Sequence, residues 1–325
     1  MKAIVVTKYG PADVLQLKEV EKPVPNESQI LVKVHAASAN PVDRARMGMP
    51  FLLRLITGVG LFKPKITSLG TDLAGRVETV GKNVTEFRPG DEVFGVSSGA
   101  FSEYVCTTEK ALALKPANLS FEAAAAVPVA ALTALQGLRD KGQIQAGQKV
   151  LICGASGGVG TFAVQLAKSF GAEVTAVCST HNIATARLIG ADHVIDYTRE
   201  DFTKNGQRYD LILAVNGTHS IAGYRRALSP KGICVVVGGM AQVIQAMLLG
   251  PLVSRIGRKK IGFMGITRTR KKDLVALKEL LEAGKVAAVI DKTYPLSETA
   301  EAFRYLEKGH ARGKIVIIVE QNNKT

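Results

Sequence analysis

Residues 154–160 read Gly-Ala-Ser-Gly-Gly-Val-Gly, a run of small residues with the chemistry needed to hold a phosphate group. Side chains this small let a ligand approach the backbone, whose N–H groups can donate hydrogen bonds to anionic oxygens. The spacing Ala155-x-Gly157-x-x-Gly160 is typical of a dinucleotide-binding turn. By itself such a turn is weak evidence, because a tight strand-to-helix connection needs glycine whether or not a ligand binds.

The flanking sequence supplies the elements that a phosphate-binding turn requires. The apolar run 150–153 predicts a strand, and apolar residues at helical spacing over 159–170 predict a helix that ends at Gly171. A second strand, 173–178, and then another helix and strand complete a βαβαβ unit. The sequence therefore predicts a nucleotide site. The residues predicted to bind its phosphates are Ala155, Ser156, Gly157, Gly158, Val159 and Gly160.

The end of the second predicted strand bears on which cofactor binds. An acidic residue usually stands there and accepts hydrogen bonds from the ribose of NAD. This chain has Ser179 and Thr180 instead, whose hydroxyl groups can face a 2′-phosphate without repelling it, so the sequence favours NADPH. Tyr197, at the end of the third strand, could add a hydroxyl and stack near the adenine. The alternative is that Ser179 and Thr180 only cap the next helix.

The composition is that of an ordinary globular protein with an excess of basic residues. The 325 residues, 46% of them hydrophobic, leave room for about two domains. The formal net charge of +14 suits an anionic cofactor but exceeds what one cofactor requires, so nucleic acid and acidic membranes come into consideration. The basic stretch 254–272 has a single aromatic residue, which favours a solvated or dimer-flanking surface over a nucleic-acid site.

Two further features bear on location and partners. The basic and apolar segment 49–65 is interpreted as a loop over the active site, in preference to a membrane-interface segment, so that a peripheral membrane contact is left open. The N-terminal apolar run is too short for a signal peptide, and the apolar run at 121–138 is interrupted by proline. The four cysteines form no CxxC pair and are interpreted as buried thiols. We expect a soluble, cytoplasmic protein.

The pattern of strands and helices predicts two domains of different class. Short alternating strands and turns fill residues 1–122 and indicate a small β-barrel, to which a last strand at 313–319 could return. Helices and βα repeats follow from residue 123. The predicted fold class is α/β, with a doubly wound parallel Rossmann sheet in 123–286 and a β-barrel catalytic domain in 1–122 and 287–325.

Five segments of the chain form a further pattern, at residues 70–95, 99–104, 127–135, 154–160 and 310–317. Their sequences, and the order in which they occur, resemble the medium-chain dehydrogenase/reductase superfamily, specifically its zinc-free quinone oxidoreductase, or zeta-crystallin-like, branch. The resemblance is nearly chain-long. It implies a GroES-like barrel domain, a Rossmann domain that binds NADPH, a cleft between them and commonly a homodimer.

The resemblance also bears on metal chemistry. Zinc-dependent members hold a catalytic metal with an early cysteine and a Gly-His-Glu segment, and these positions are Asn40 and Gly-Thr-Asp at 70–72 here. The cysteines of a structural zinc lobe are also missing, so metal-free chemistry is predicted. An isolated alkoxide needs zinc or a strong acid/base pair. Hydride addition to a quinone or an α,β-unsaturated carbonyl gives a delocalised anion instead, and we predict this reaction.

Other site residues are assigned by their position in the family pattern. Asn40 resembles an active-site asparagine whose amide can donate to the substrate oxygen, although it could simply cap the turn before Pro41. Many relatives carry Tyr or Lys five residues later, where this chain has Ala45, followed by Arg46 as a substitute. A lysine often found near the 2′-phosphate is Asn182 here. The further predicted cofactor contacts are Thr133, Asn216, Gly238, Gly239, Phe263, Gly265 and Lys314.

Two other functions stay open on the sequence. A zinc-free alcohol dehydrogenase would need a strong base, which the sequence does not reveal. A nucleic-acid-binding or non-catalytic zeta-crystallin-like protein is compatible with the positive charge, although nucleic acid is the less favoured partner.

Overall fold

A computed structural model describes residues 1–48, 68–255 and 258–320, so the predicted loop at 49–65 lies outside the described residues. The chain forms two compact units. The first comprises Met1–Val129, Thr269–Glu282 and Ala288–Thr325, and the second comprises Ala130–Arg268 and Ala283–Ala287.

The first unit is built mainly of antiparallel strands. Its strands are β1 (Lys2–Val6), β2 (Leu15–Glu19), β3 (Ile30–Ala39), β4 (Asp72–Val80), β5 (Glu92–Val96), β6 (Tyr104–Thr107), β7 (Leu112–Leu114), β14 (Ile290–Pro295) and β15 (Lys314–Ile318). Its helices are α1 (Pro41–Met47), α2 (Phe121–Ala125), α8 (Lys271–Glu282) and α9 (Thr299–Glu307). Strands β1 and β2 form a hairpin, and the others form one sheet in the order β14-β15-β3-β4-β5-β7, with β6 also paired to β3.

Strand β3 is the centre of this sheet. It pairs antiparallel with β4, β6 and β15, and its apolar residues from Ile30 to Ala39 are almost all buried. The returning tail strand, β15, therefore lies beside β3, and the residues at the ends of β3, β4 and β15 come close together. This local arrangement positions the polar cluster described below.

The second unit is a parallel α/β sheet. Its strands are β8 (Lys149–Cys153), β9 (Glu173–Cys178), β10 (His193–Asp196), β11 (Tyr209–Val215), β12 (Leu228–Val237) and β13 (Lys260–Phe263). Its helices are α3 (Pro128–Gln136, continued as a π-helix over Gly137–Lys141), α4 (Gly158–Ser169), α5 (Ile183–Leu188), α6 (Ile221–Ala227) and α7 (Met240–Arg255). The sheet order is β10-β9-β8-β11-β12-β13, with every neighbouring pair parallel. The predicted doubly wound sheet is confirmed, as is the predominantly β character of the first unit.

Candidate active site

The first unit contains a buried cluster of four polar residues, Ser38, Asn40, Asp72 and Lys314. Each lies at or next to the end of a strand of the central sheet: Ser38 in β3, Asn40 directly after β3, Asp72 at the start of β4 and Lys314 at the start of β15. The strand register brings them together, because Ser38 lies opposite Asp72. All four residues are buried, with exposed fractions of 0–3%.

The Lys314 ammonium connects the cluster. Its Nζ donates to Asn40 Oδ1 at 2.6 Å and to Asp72 Oδ2 at 3.2 Å. Asp72 Oδ2 also accepts from Ser38 Oγ at 2.6 Å, and Asp72 Oδ1 accepts from the backbone N–H of Val129 at 2.8 Å. The Asp72 carboxylate is therefore both charge-paired and hydrogen-bonded on each oxygen, which is what a buried charge requires.

The orientation of the Asn40 amide is fixed by these partners. Lys314 can only donate, so the amide carbonyl must face it. Asn40 Nδ2 then donates to Asp72 Oδ2 at 2.9 Å and to the Ser38 carbonyl at 3.1 Å. Both amide hydrogens are thus engaged with protein acceptors, and a substrate oxygen would have to replace one of them.

A second carboxyl group, Asp43, lies beside this cluster in the first turn of α1. Asp43 Oδ2 accepts from the Asn40 backbone N–H at 3.2 Å, and Oδ1 accepts from Thr71 Oγ1 at 2.7 Å. Burial, opposed by the Thr71 hydrogen bond, raises the pKa of Asp43 to about 6. The sequence analysis missed Asp43 and Thr71, although the spacing Asn40-x-x-Asp43 is a capping-box signal.

Arg46 lies on the same helix as Asp43. Its positive charge acts to lower the pKa of Asp43. Arg46 Nη1 is buried and makes no hydrogen bond to the residues that the structure describes. A buried guanidinium nitrogen without an acceptor is unusual, and it leaves a cationic donor available to a ligand.

The second unit brings its predicted cofactor residues to one edge of the parallel sheet. The carboxyl ends of parallel strands meet at a common edge, where α/β sheets bind nucleotides. The glycine-rich turn follows β8, Ser179 and Thr180 follow β9, and Tyr197 follows β10. Asn216 follows β11, and Gly238 and Gly239 follow β12. Phe263 is the last residue of β13, and Gly265 lies two residues after it.

The glycine-rich turn has the shape that a pyrophosphate needs. A side chain at Gly157 would meet only the Gly154 carbonyl oxygen at 3.6 Å, so the space in front of the turn is open. A side chain at Gly160 would lie 2.0 Å from the same oxygen, which forbids any larger residue there. The first intrahelical bond of α4 runs from Thr161 N to Gly157 O, so the preceding N–H groups lie in the first turn. The residues fit a dinucleotide cofactor.

The strand-end hydroxyls have unequal surroundings. Thr180 Oγ1 donates to the carboxylate of Asp196 at the end of β10, and Thr198 binds the other oxygen of that carboxylate. These hydrogen bonds lower the pKa of Asp196. Ser179 Oγ accepts from Asn182 Nδ2 at 3.0 Å. Ser179 is therefore the hydroxyl free of the carboxylate, and Asp196 is a nearby acid that the sequence analysis missed.

The surroundings of four predicted cofactor residues differ. Thr133 in α3 shares a hydrogen bond of 2.8 Å with Thr267 in the second unit. Asn216 has a positive φ of 49°, and its backbone N–H donates to Val237. Tyr197 is 57% exposed at the end of β10. Lys314 belongs to the first unit, where its ammonium lies in the buried cluster.

Comparison with known proteins identifies the class to which these two units belong. A family model described as "Alcohol dehydrogenase GroES-like domain" matches residues 26–117, and one described as "Zinc-binding dehydrogenase" matches residues 189–317. The chain is 37% identical to a 2-methylene-furan-3-one reductase of Solanum lycopersicum, over 98% of this chain and 79% of that protein.

Two further proteins are similar along almost the whole chain. An NADPH-dependent alkenal/one oxidoreductase of Arabidopsis thaliana, described as chloroplastic, is 35% identical over 98% of this chain and 79% of its own length. The solved quinone oxidoreductase from Coxiella burnetii superposes with a TM-score of 0.88 at 32% identity, covering 98% of this chain and 99% of that one. The chain belongs to the medium-chain dehydrogenase/reductase superfamily, in its quinone oxidoreductase-like branch.

One matching family model is described as a zinc-binding dehydrogenase, so the donors around Lys314 are compared with those that zinc requires. Zinc in proteins binds three or four thiolate, imidazole or carboxylate ligands. Here the candidate donors are one amide and one carboxylate, and an ammonium group lies within 3.2 Å of both. A zinc ion placed there would be repelled by Lys314, so this donor set does not fit zinc. Across residues 1–48, 68–255 and 258–320, no group of three His, Cys, Asp or Glu residues could hold a metal.

No helix in the described part of the chain is long and apolar enough to cross a membrane. The cytoplasmic location stays a prediction, as does a peripheral membrane contact through residues 49–65, which lie outside the described residues.

Proposed function

We propose that this protein is an NADPH-dependent reductase that transfers hydride to quinones or α,β-unsaturated carbonyl compounds without a metal. The observation that carries the proposal is the Lys314 cluster, because the ammonium bonds to both Asn40 and Asp72, the two residues that the resemblance places at zinc-ligand positions. The relatives described above, an enone-type reductase and a quinone oxidoreductase, support the substrate class.

The second unit provides the cofactor site. Bound at the turn after β8, NADPH supplies the hydride. The N–H groups at the start of α4 would hold its pyrophosphate, since α4 is a twelve-residue helix whose dipole favours an anion at this end. Ser179, which is free of any carboxylate, would face the 2′-phosphate. Among the strand-end residues, Tyr197 is exposed enough to pack beside an adenine ring.

The first unit provides the groups that manage negative charge on the substrate oxygen. When hydride adds to a quinone or to the β-carbon of an enone, charge develops on a conjugated oxygen, and hydrogen-bond donors aimed at it lower the barrier. Arg46 has a buried donor without an acceptor among the described residues. Asn40 can donate by exchanging its longer bond, 3.1 Å to the Ser38 carbonyl, for one to the substrate. We therefore assign the catalytic roles to Arg46 and Asn40.

The experiment for this proposal is a substrate comparison at fixed NADPH concentration, with and without a chelator. Quinones and enones are expected to support NADPH oxidation, simple alcohols with NADP⁺ to give little activity, and the chelator to change nothing. Saturated alcohols as the better substrates, or loss of activity with the chelator, would contradict the proposal.

We further propose that two copies of the chain associate through the second unit. Strand β13 ends the parallel sheet, and a groove of about 250 Å³ along it is lined by apolar side chains of β12 and β13, including Ile233, Ile261 and Phe263. Helix α7, which packs against β13, leaves Met247 and Leu248 60% and 68% exposed. A sheet edge beside an apolar helix face is suited to covering by a second copy.

A further inference from the structure

Asn182 connects the two parts of the proposed cofactor site. Its side chain is only 8% exposed. Asn182 Nδ2 donates to Ser156 Oγ in the glycine-rich turn at 3.1 Å and to Ser179 Oγ at the end of β9 at 3.0 Å. One amide group therefore joins the turn that would hold the pyrophosphate to the strand end at which the adenosine ribose of a dinucleotide lies.

The other atom of this amide has no partner. Asn182 Oδ1 is buried and accepts no hydrogen bond from the residues that the structure describes. Burying an acceptor without a donor is unfavourable, so a ligand that brings an O–H group to this point gains free energy. The neighbouring Thr180 hydroxyl does not fill this role, because it is committed to Asp196.

We propose that Asn182 is a cofactor-binding residue whose Oδ1 accepts a hydrogen bond from the 3′-hydroxyl of the adenosine ribose. The inference rests on the proposed function, since it takes a dinucleotide to be bound at the turn after β8. NADPH carries a phosphate on its 2′-oxygen but keeps the 3′-hydroxyl, so this donor is present in the favoured cofactor.

A neutral amide reconciles ribose binding with a 2′-phosphate. The acidic residue that usually ends the second strand accepts the ribose hydroxyls but would repel a neighbouring phosphate. The carbonyl oxygen of Asn182 accepts the remaining hydroxyl without adding a negative charge. Asn182 thus binds the ribose 3′-hydroxyl in place of the missing acid, and Ser179 binds the 2′-phosphate.

The test measures binding of three cofactor fragments by isothermal titration calorimetry: 2′,5′-ADP, its 3′-deoxy analogue and 5′-AMP. The natural chain is expected to bind 2′,5′-ADP about tenfold more tightly than the 3′-deoxy analogue, the effect of one hydrogen bond to a buried acceptor. Asn182→Ala is expected to bind both at the weaker level, without discrimination. Asn205→Ala, at the amino edge of the same sheet, is the control and should keep the tenfold ratio.

A second variant distinguishes loss of the acceptor from a general loss of the folded site. Asn182→Asp has nearly the same shape and keeps an acceptor, so it should still discriminate against the 3′-deoxy analogue while losing preference for 2′,5′-ADP over 5′-AMP. The proposal is overturned if the natural chain does not distinguish the 3′-deoxy analogue, or if Asn182→Ala still does.

It is also overturned if Asn182→Ala changes only the preference for the 2′-phosphate, since the amide would then be donating rather than accepting. Failure of the natural chain to bind any of the three fragments would instead contradict the proposed function itself.

Discussion

At the scale of single residues, Lys314 connects the buried polar cluster of the first unit. Its ammonium pairs with a carboxylate that is completely buried and holds the Asn40 amide in one orientation. A metal ion with open coordination positions would activate an alcohol, whereas this cluster is closed and charge-balanced. In the proposed mechanism, the donors to the substrate oxygen are therefore Arg46, outside the cluster, and the amide of Asn40, which would have to exchange a bond within it.

The cluster makes a prediction for folding stability. Lys314→Met strands the Asp72 carboxylate without its partner, and breaking a buried ion pair in this way costs about 3–5 kcal/mol. Lys82→Ala, which removes an exposed pair with Glu27, should cost less than about 1 kcal/mol. Urea denaturation of both variants measures the difference. Equal losses of unfolding free energy in the two variants would show that Lys314 is not paired in the folded protein. Adding Asp72→Asn to Lys314→Met should recover part of the lost stability.

Asp43 makes a prediction for pH. Its folded pKa of about 6 lies above the unfolded value, so the folded state binds the proton more tightly. The stability that this contributes is fully present below about pH 4 and is lost as the pH rises through 6. The loss amounts to roughly 3 kcal/mol. The unfolding free energy of the natural chain should therefore fall from pH 4 to pH 7.5 relative to that of Asp43→Asn. Parallel pH profiles of the two proteins would refute the raised pKa.

Residue-scale features were only partly accessible from the sequence. The resemblance pointed to Asn40 and Lys314, but as substrate and cofactor contacts, and it did not show that they bond to each other. Their contact depends on β15 returning beside β3 from more than 270 positions away. The buried donor of Arg46 and the bridging amide of Asn182 also depend on packing, and no local pattern in the sequence indicates either.

At the scale of elements, the carboxyl edge of the parallel sheet brings together the residues predicted to bind the nucleotide. This part was predictable, because strand-turn-helix periodicity marks each βα unit and the connections of parallel strands are right-handed. What the sequence did not give was the relation between neighbouring strand ends. Asp196 ends β10 opposite Cys178, the last residue of β9, and so its carboxylate binds the hydroxyl of Thr180.

The strand-end arrangement predicts cofactor preference. NADPH should bind more tightly than NADH, because Ser179 replaces the usual acid and the carboxylate of Asp196 is already occupied by two threonine hydroxyls. Ser179→Asp places a negative charge next to the 2′-phosphate and should reduce the preference by about tenfold or more. Leu188→Asp, an exposed position on α5, changes the net charge equally and should leave the preference unaltered. The dissociation constants of NADPH and NADH, measured at fixed ionic strength, test this preference. Tighter binding of NADH than of NADPH by the natural chain would contradict it.

At the scale of the whole molecule, the order of segments carried more information than composition. The α/β class and the family follow from motifs spread over the chain, whereas the net charge of +14 suggested partners without identifying one. The fold determines where the charged side chains lie on the surface, so the net charge of the sequence cannot locate a basic patch.

The proposed dimer gives the whole-molecule prediction. Replacing both Met247 and Leu248 by Asp on the exposed face of α7 should convert dimers into monomers at micromolar concentration, because charges would be buried against the second copy. Leu188→Asp, at a still more exposed position on α5, should leave the dimer intact. Sedimentation velocity distinguishes the two species. A natural chain that sediments as a monomer would refute the proposed association.

The central claim is that this protein delivers hydride to a conjugated acceptor with Arg46 stabilising the charge that forms on oxygen. Stopped-flow oxidation of 4-deuterated and ordinary NADPH by a quinone and an enone, with chelator present, tests it most directly. A primary isotope effect is expected, and Arg46→Met should slow hydride transfer by roughly a hundredfold, with NADPH binding unchanged. Arg44 is partly exposed and pairs with Glu307, so Arg44→Met should react at the natural rate. If Arg46→Met reacts as fast as Arg44→Met, or if saturated alcohols with NADP⁺ outperform every quinone and enone, the claim is contradicted.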